Sequence, residues 1–334
     1  LQVLGQLHSE QGDLARAMEC LTAVLEQTPG HLPSLQLLAR LLAQSDRPGD
    51  LLSITTREIE LTSSPARRAK LLHRAGELAL QVGDRDEARR CFERALEIVD
   101  DHLPSIEALG KLLREDEDHP ALVELLRKEL LYANDRARQA GLQLEIATIL
   151  SAKLGRKTEA LSELERLLDG WPRHLPALHA AESLAAATGQ HDTLLALLEQ
   201  HIAAVTGPRT RALLLHRTAS IRSTLEDHEG AIRDLVRALD LWPQLGVARA
   251  RLLRLYEMLG RSSELQAFAA AGLTTERGAD DRRAMALQLA ELTPKPVVAI
   301  QYLGAVAEAR PEDYVTQLRL AQACHRAARP SREA

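Results

Sequence analysis

Apolar residues recur along this chain with helical spacing. Leu35, Leu38, Ala39 and Leu42 fall on one face of a helix, as do Leu72, Ala75, Gly76 and Ala79, and then Ala88, Phe92 and Ala95. Apolar positions three and four residues apart line one side of a 3.6-residue turn, whereas a half-buried strand would alternate. Between these stripes stand Pro-Gly, Gly-Asp and Ser-Pro pairs, which punctuate helices. The pattern predicts helices joined by short turns.

The punctuation itself repeats. "HLPS" begins at 31 and again at 102, and "HLPA" begins at 174, giving spacings of 71 and 72. In "TPGHLPSLQLLARLL" the Pro29-Gly30 turn ends one helix, His31 stands at the N-cap of the next, and Pro33 occupies its first turn, where a missing N–H costs nothing. His31, His102 and His174 therefore hold one phase of a repeat. Two helical hairpins separate successive copies, which places the rings on the order of 20 Å apart if packed helices lie ~8–10 Å apart. Ligands of one zinc ion sit ~2 Å from the metal, so these histidines cannot share one, and structural punctuation is the expected role. No metal site and no cofactor are expected.

A second phase carries small residues: Ala17, Ala88, Ala160, Ala231 and Ala299, at steps of 71, 72, 71 and 68. The residues 34 positions after the first four are Leu51, Leu122, Leu194 and Leu265. Residues 69–102, with Leu72, Ala75, Gly76, Ala79, Ala88, Phe92 and Ala95, resemble the tetratricopeptide repeat, a helix–turn–helix of ~34 residues with large and small apolar residues at fixed places. Residues 1–31 resemble it too, through Leu4, Gly5, His8, Ala17, Leu21, Val24 and Pro29. The resemblance extends over nearly the whole chain. It is strong where Ala holds the small position and weaker where Leu does, and Arg249 takes a place usually filled by a large apolar residue.

The alternation predicts a two-hairpin unit, one hairpin closing on Ala and one on Leu, because the distance between crossed helices depends on the side chains at the crossing. About three extra residues then precede the next unit, in "TSSPARRAK", "ANDRARQA" and "VTGPRTRA". The resemblance implies an all-α, right-handed helical-repeat solenoid. We expect about ten helices in a single array of four to five two-hairpin units. Its hairpins are expected at 1–31, 32–66, 67–102, 103–137, 138–174, 175–208, 209–245, 246–279 and 280–312, with an incomplete one at 313–334. Leu1 already holds the place of a first-helix apolar residue and 313–334 supplies a helix without a partner, so the expectation is a segment of a longer array.

Composition narrows the function. Among 334 residues aromatics make up 2%, and the formal net charge is -5. A nucleic-acid surface normally carries a basic excess, and an RNA-reading helical repeat would need stacking groups; nucleic acid is not expected as a partner. Cys20, Cys91 and Cys324 have neither disulfide nor zinc-ligand spacing, and no run of ~18 apolar residues could span a bilayer. A cytoplasmic location is favoured, with the periplasm open to a chain that has an upstream signal. The acidic stretch "REDEDHP" at 114–120 is expected in a solvated turn, as are His191-Asp192 and "EDHE" at 226–229. Phosphate-binding loops, nucleophile elbows and H-E-x-x-H motifs are lacking. The expectation is not an enzyme.

What remains is protein recognition. The resemblance implies that the first helix of each hairpin lines a concave groove that receives a protein or peptide. Carried over by position, the candidate residues are Gln36, Arg40 and Gln44; His73, Glu77 and Gln81; Glu107, Lys111 and Arg114; His179 and Ser183; His216 and Ser220; Arg254 and Glu257. Arg40, Lys111, Arg114 and Arg254 suit an acidic partner. A clamp for a C-terminal carboxylate, which in such repeats resembles a set of Lys and Asn, is not expected: Asn134 is the single Asn and lies in a turn. Arg67, Arg68 and Lys70, then Arg136 and Arg138, then Arg209 and Arg211, then Arg282 and Arg283 recur at unit junctions. Cations at helix starts oppose the helix dipole, so the preferred expectation is pairing with nearby Asp and Glu; the other is a ridge facing an acidic surface. The reading is a non-catalytic interaction scaffold in a larger bacterial assembly, the source inferred from an Arg- and Ala-rich, Lys-poor composition. The alternatives are a docking arm of an enzyme whose catalytic domain lies elsewhere, and a packing element of a secretion, motility or envelope complex.

Overall fold

The computed structural model describes residues 2–265 and 296–328, and between them 267, 268, 282, 283, 286, 287 and 290. Leu1 and the parts of the expected hairpins at 269–281, 291–295 and 329–334 lie outside the described residues. The chain forms two compact units, Leu1–Leu167 and Leu168–Ala334. Unit 1 holds α1 (Gln2–Glu10), α2 (Leu14–Gln27), α3 (Leu32–Gln44), α4 (Pro48–Leu61), α5 (Pro65–Val82), α6 (Arg85–Ile98), α7 (Leu103–Glu115), α8 (His119–Tyr132) and α9 (Arg136–Ala152), and most of α10 (Lys157–Gly170). Unit 2 holds α11 (Leu175–Ala187), α12 (His191–Ala204), α13 (Pro208–Thr224), α14 (His228–Leu241), α15 (Gly246–Met258), α16 (Pro296–Ala309) and α17 (Tyr314–Ala328).

Among the described residues there is no strand, and the fold is an all-α helical-repeat solenoid. The expectation of about ten helices was too low. Each ~34-residue hairpin divides into two helices, so that 17 are described.

Among the described residues most packing is between neighbours in sequence. In unit 1 each helix from α1 to α8 packs on its successor, and α1 also touches α3; in unit 2 the same holds from α11 to α15, and for α16 with α17. Stability in such a stack is roughly a sum of hairpin and interface contributions.

The small phase closes each hairpin. Ala17, Ala88, Ala160 and Ala231 are fully buried, and Leu51, Leu122, Leu194 and Leu265 are buried at the alternate phase. The first helix makes room in the same way. A Cβ on Gly76 would stand 2.4 Å from Phe92 Cε1, and one on Gly5 would stand 3.1 Å from Leu21 Cγ. At the equivalent phase in α13 and α14 stand Ala219 and Leu235, both fully buried. The larger ring faces the smaller partner.

Local signals set the helix ends. The side chains of Asp13, Asp84, Asp118, Asp135 and Asp227 accept the N–H three residues on, capping α2, α6, α8, α9 and α14. Gly12 and Gly83 precede two of these caps with φ of 80° and 89°, a region open to Gly at no steric cost. The HLP histidines cap as well. His31 Nδ1 accepts from the N–H of Ser34 at 3.3 Å and stands 2.8 Å from its Oγ. His174 Nδ1 accepts from the N–H of Ala177 at 3.2 Å, and His102 Nδ1 lies 2.8 Å from Ser105 Oγ. The repeated histidines stand at the starts of α3, α7 and α11.

Gly76→Ala should destabilise the protein by about 1–3 kcal/mol through overpacking, although Ala alone is the better helix former. Adding Phe92→Leu, which restores an Ala–Leu pairing like that of Ala219 and Leu235, should recover most of the loss. Thermal and urea melts of the two single variants and the double variant measure this.

Candidate functional site

The polar side chains of the chain fall into two groups, those consumed by the scaffold and those left facing solvent. The junction arginines belong to the first. Arg67 donates to Glu58 at 2.7 Å, and Arg138 donates to Glu129 at 2.5 and 2.8 Å; both carboxylates are buried. In unit 2 Arg211 donates to the Ile202 carbonyl, Arg209 lies over the Trp242 ring at 5.5 Å, and Arg283 pairs with Asp313. Pairing, the preferred expectation, holds for Arg67, Arg138 and Arg283. A buried carboxylate at the end of one two-hairpin unit holds the first helix of the next, which offsets the unfavourable placement of a cation at a helix start.

The acidic turn is also consumed. Arg85 donates to Glu115 and Asp116, and Arg89 donates to Asp118, so the 114–120 stretch is tied to α6. Asp227, in "EDHE", caps α14 and accepts from Arg222, which also pairs with Glu199 and Asp234. Burial pushes the Asp234 carboxyl up despite Arg222 beside it. Arg249 is buried and donates to the Pro243 carbonyl at 2.5 Å, so its head closes a turn while its stem fills the apolar place. Cys20, Cys91 and Cys324 are free. Burial, with Glu87 alongside, pushes the Cys91 thiol up to about 11.

The candidate recognition residues divide between the units. In unit 1 they lie on α3, α5 and α7. Arg40, Gln44, Glu77, Gln81, Glu107, Lys111 and Arg114 are exposed, whereas Gln36 and His73 are half-buried. Gln36 donates to Glu58 at 3.3 Å and so joins a junction pair. Arg114 is held by Glu145 through two hydrogen bonds of 3.1 and 2.8 Å. His73 stacks on Phe92 and His102 at 5.5 and 5.6 Å between ring centres, and its Nε2 lies 3.5 Å from Glu77. Arg40 and Lys111 make no ion pair or side-chain hydrogen bond among the described residues.

In unit 2 the candidates lie on α11, α13 and α15. His179, Ser183, Arg254 and Glu257 are exposed, whereas His216 and Ser220 are half-buried. Burial, with Arg251 nearby, pulls the His216 imidazole down. His179 stacks on His201 with 4.7 Å between ring centres, and behind it lies a group that the sequence reading missed. Glu182 of α11, 3% exposed, accepts from Arg217 of α13 at 2.6 Å and lies 2.6 Å from Nδ1 of the buried His201 of α12. Three helices meet on one carboxylate. The signal was available: 182 shares its phase with Ala39 and Gly110, where a small residue faces the partner helix, and a Glu there requires polar partners. His201 in turn shares its phase with Glu58 and Glu129, so the acid has moved from the second helix to the first.

Among the described residues no three His, Cys, Asp or Glu side chains are grouped to hold a metal ion. No helix among them is long and apolar enough to cross a membrane.

Two variants test the buried groups. Glu182→Ala should cost about 1–3 kcal/mol by leaving the buried His201 ring without its polar partner, and Glu182→Ala with His201→Leu should cost less than the single change, since replacing both partners is nearly neutral; urea melts decide it. The second concerns His102. Burial, with His73 and Lys70 nearby, lowers its pKa from 6.5 despite Asp101, so the unfolded chain takes up the proton first. Its contribution is whole above about pH 6.5 and is lost as pH falls through the folded-state value. The thermal midpoint of His102→Asn, which places a favourable N-cap residue at that position, should fall less between pH 7.5 and 5.5 than that of the native chain.

Residues 1–31 and 69–102 match two family models, each described as tetratricopeptide repeat. No curated protein matches the sequence. Among solved structures, YrrB, described as a TPR protein with an unusual peptide-binding site, shares 20% identity over 58% of this chain and 95% of its own, with a TM-score of 0.33. A Naa15/Naa10 structure bound to HypK-THB shares 14% over 96% of this chain and 60% of its own, with a TM-score of 0.43. A tetratricopeptide repeat protein from Parabacteroides merdae shares 17% over 75% and 95%, with a TM-score of 0.34. The matched segments are the α1–α2 and α5–α6 hairpins, those in which Gly5 and Gly76 meet Leu21 and Phe92, and these two segments are tetratricopeptide repeats.

Proposed function

We propose that this chain is a non-catalytic protein-interaction scaffold that receives a partner protein or peptide on the first helices of its hairpins, within a larger bacterial assembly. The observation that supports it is the contrast between consumed and unconsumed charge. Five of the nine cations at the unit junctions, Arg67, Arg138, Arg209, Arg211 and Arg283, are tied to a carboxylate, a carbonyl or a ring, whereas Arg40 and Lys111 on the first helices of unit 1, and Arg254 on α15, stand exposed without an ion pair among the described residues. The fold does not use them. Long exposed cations on first helices favour an acidic segment through charge-assisted hydrogen bonds, and neither a nucleic acid nor a cofactor is part of this reading. Arg114 is set apart, because Glu145 already satisfies it.

Affinity capture from the source lysate with the native chain and with Arg40→Glu, Lys111→Glu and Arg254→Glu combined tests this. One protein should be enriched on the native chain and fall by about tenfold or more on the variant, a loss of ~1.4 kcal/mol or more, with the helical melt unchanged. Equal capture by both would remove the first-helix faces as the site.

A further inference from the structure

Of the three two-hairpin junctions with buried polar side chains, the first two hold a Glu–Arg pair inside and the third a histidine, and all three differ at the rim. The second opens as a cleft of about 620 Å3 in unit 1, between the start of α7 and the turn from α8 to α9. Its floor is the buried Ile106 and the Glu129–Arg138 pair, whose charges cancel. Its wall is apolar and open to solvent: Leu131 is 79% exposed, Leu103 52% and Tyr132 43%. Its rim is acidic. Asp101, Glu107 and Asp135 all line it, all are exposed, and none makes an ion pair among the described residues. The Tyr132 hydroxyl donates to Asp100 at 3.4 Å, which adds a fourth carboxylate beside the wall.

The scaffold does not require this rim. At the same phase in the first junction stand Gly30, Gln36 and Ser64, and Leu61 lies 3.7 Å from where a Cβ on Gly30 would be. In the third stand Arg173, His179 and Gly207, with Ala203 and Ala204 where the second has Leu131 and Tyr132. Three acids around an apolar wall are thus particular to one of three equivalent places. Exposed apolar side chains of this size mark a contact surface when they are contiguous, and the volume is that of a site for one or two side chains.

We infer that this cleft docks a short segment of a partner protein that presents a Lys or Arg side chain beside an apolar one. The charge selects the occupant. An acidic segment would meet three unneutralised carboxylates, whereas a Lys or Arg can lay its methylene stem along Leu103 and Leu131 and bring its head to Asp101, Glu107 or Asp135. The surface differs from the cationic first-helix face, and the inference holds or fails independently of that reading.

The test is panning of a displayed random dodecapeptide library against the whole chain and two variants. In the first, Asp101→Asn, Glu107→Gln and Asp135→Asn are combined; Asn at 135 keeps the helix cap, because Asn and Asp cap equally well. In the second, Arg40→Glu, Lys111→Glu and Arg254→Glu are combined. Peptides selected on the native chain should carry Lys or Arg next to Leu, Ile, Val or an aromatic. They should lose about tenfold or more in affinity on the first variant and on Leu131→Ser, keep it on the second, and weaken with salt as exposed charge pairs do. Selection of acidic or uncharged peptides, retention on the rim variant or absence of any enrichment would each overturn the inference. Loss on the second variant alone would do so while supporting the cationic face.

Discussion

Two helices can cross closely only where a small residue on one faces the side chain of the other, and the α1–α2, α5–α6 and α13–α14 hairpins are arranged around that constraint. Where the first helix offers Gly76, the second can bring Phe92 onto it; where the first offers Ala219, the second brings Leu235. The sum of the two side chains is held roughly constant while their split varies, as close packing demands. The alternation of Ala and Leu one hairpin apart then gives the stack its two-hairpin rhythm, and the HLP histidines, the aspartate caps of α2, α6 and α14, and the Glu58 and Glu129 carboxylates follow that rhythm.

Polar side chains are distributed by what this packing leaves over. A carboxylate taken into the stack must find donors there, and Glu58, Glu129 and Glu182 each do so through a side chain from the next hairpin. Cations that meet such a carboxylate become part of the fold. Those that do not, with the acidic rim around Leu103 and Leu131, form the chemistry the molecule presents outward. The same rule separates structural histidines, which lend a ring nitrogen to a helix end, from His179, whose exposed face lies over a buried neighbour.

Much of this was legible in the sequence because it is periodic. The phase of Ala17, Ala88, Ala160 and Ala231 and that of Leu51, Leu122 and Leu194 identified the hairpins, and the HLP tripeptides identified helix starts. The expected helix number fell short because ten is the number of expected hairpins, and each hairpin carries two helices. Contacts across hairpins were less legible. Glu182 and His201 are 19 residues apart and Arg217 is 35 from Glu182, so pattern along one helix does not reveal that they meet. The cleft at Glu107 required knowing that Asp101 and Asp135, 34 residues apart, belong to one rim.

The pairing of Glu58 with Arg67 and of Glu129 with Arg138 also bears on how such a chain can grow. Each pair straddles a junction between two-hairpin units, with the acid at the end of one and the base at the start of the next. A duplication or deletion of the unit between these two seams brings an acid against an arginine again at the new seam. A change by one hairpin instead sets a buried carboxylate against a helix start that has no cation to meet it. Between these two seams a step of 71 residues keeps the pairing, and a half step leaves one buried charge unmatched.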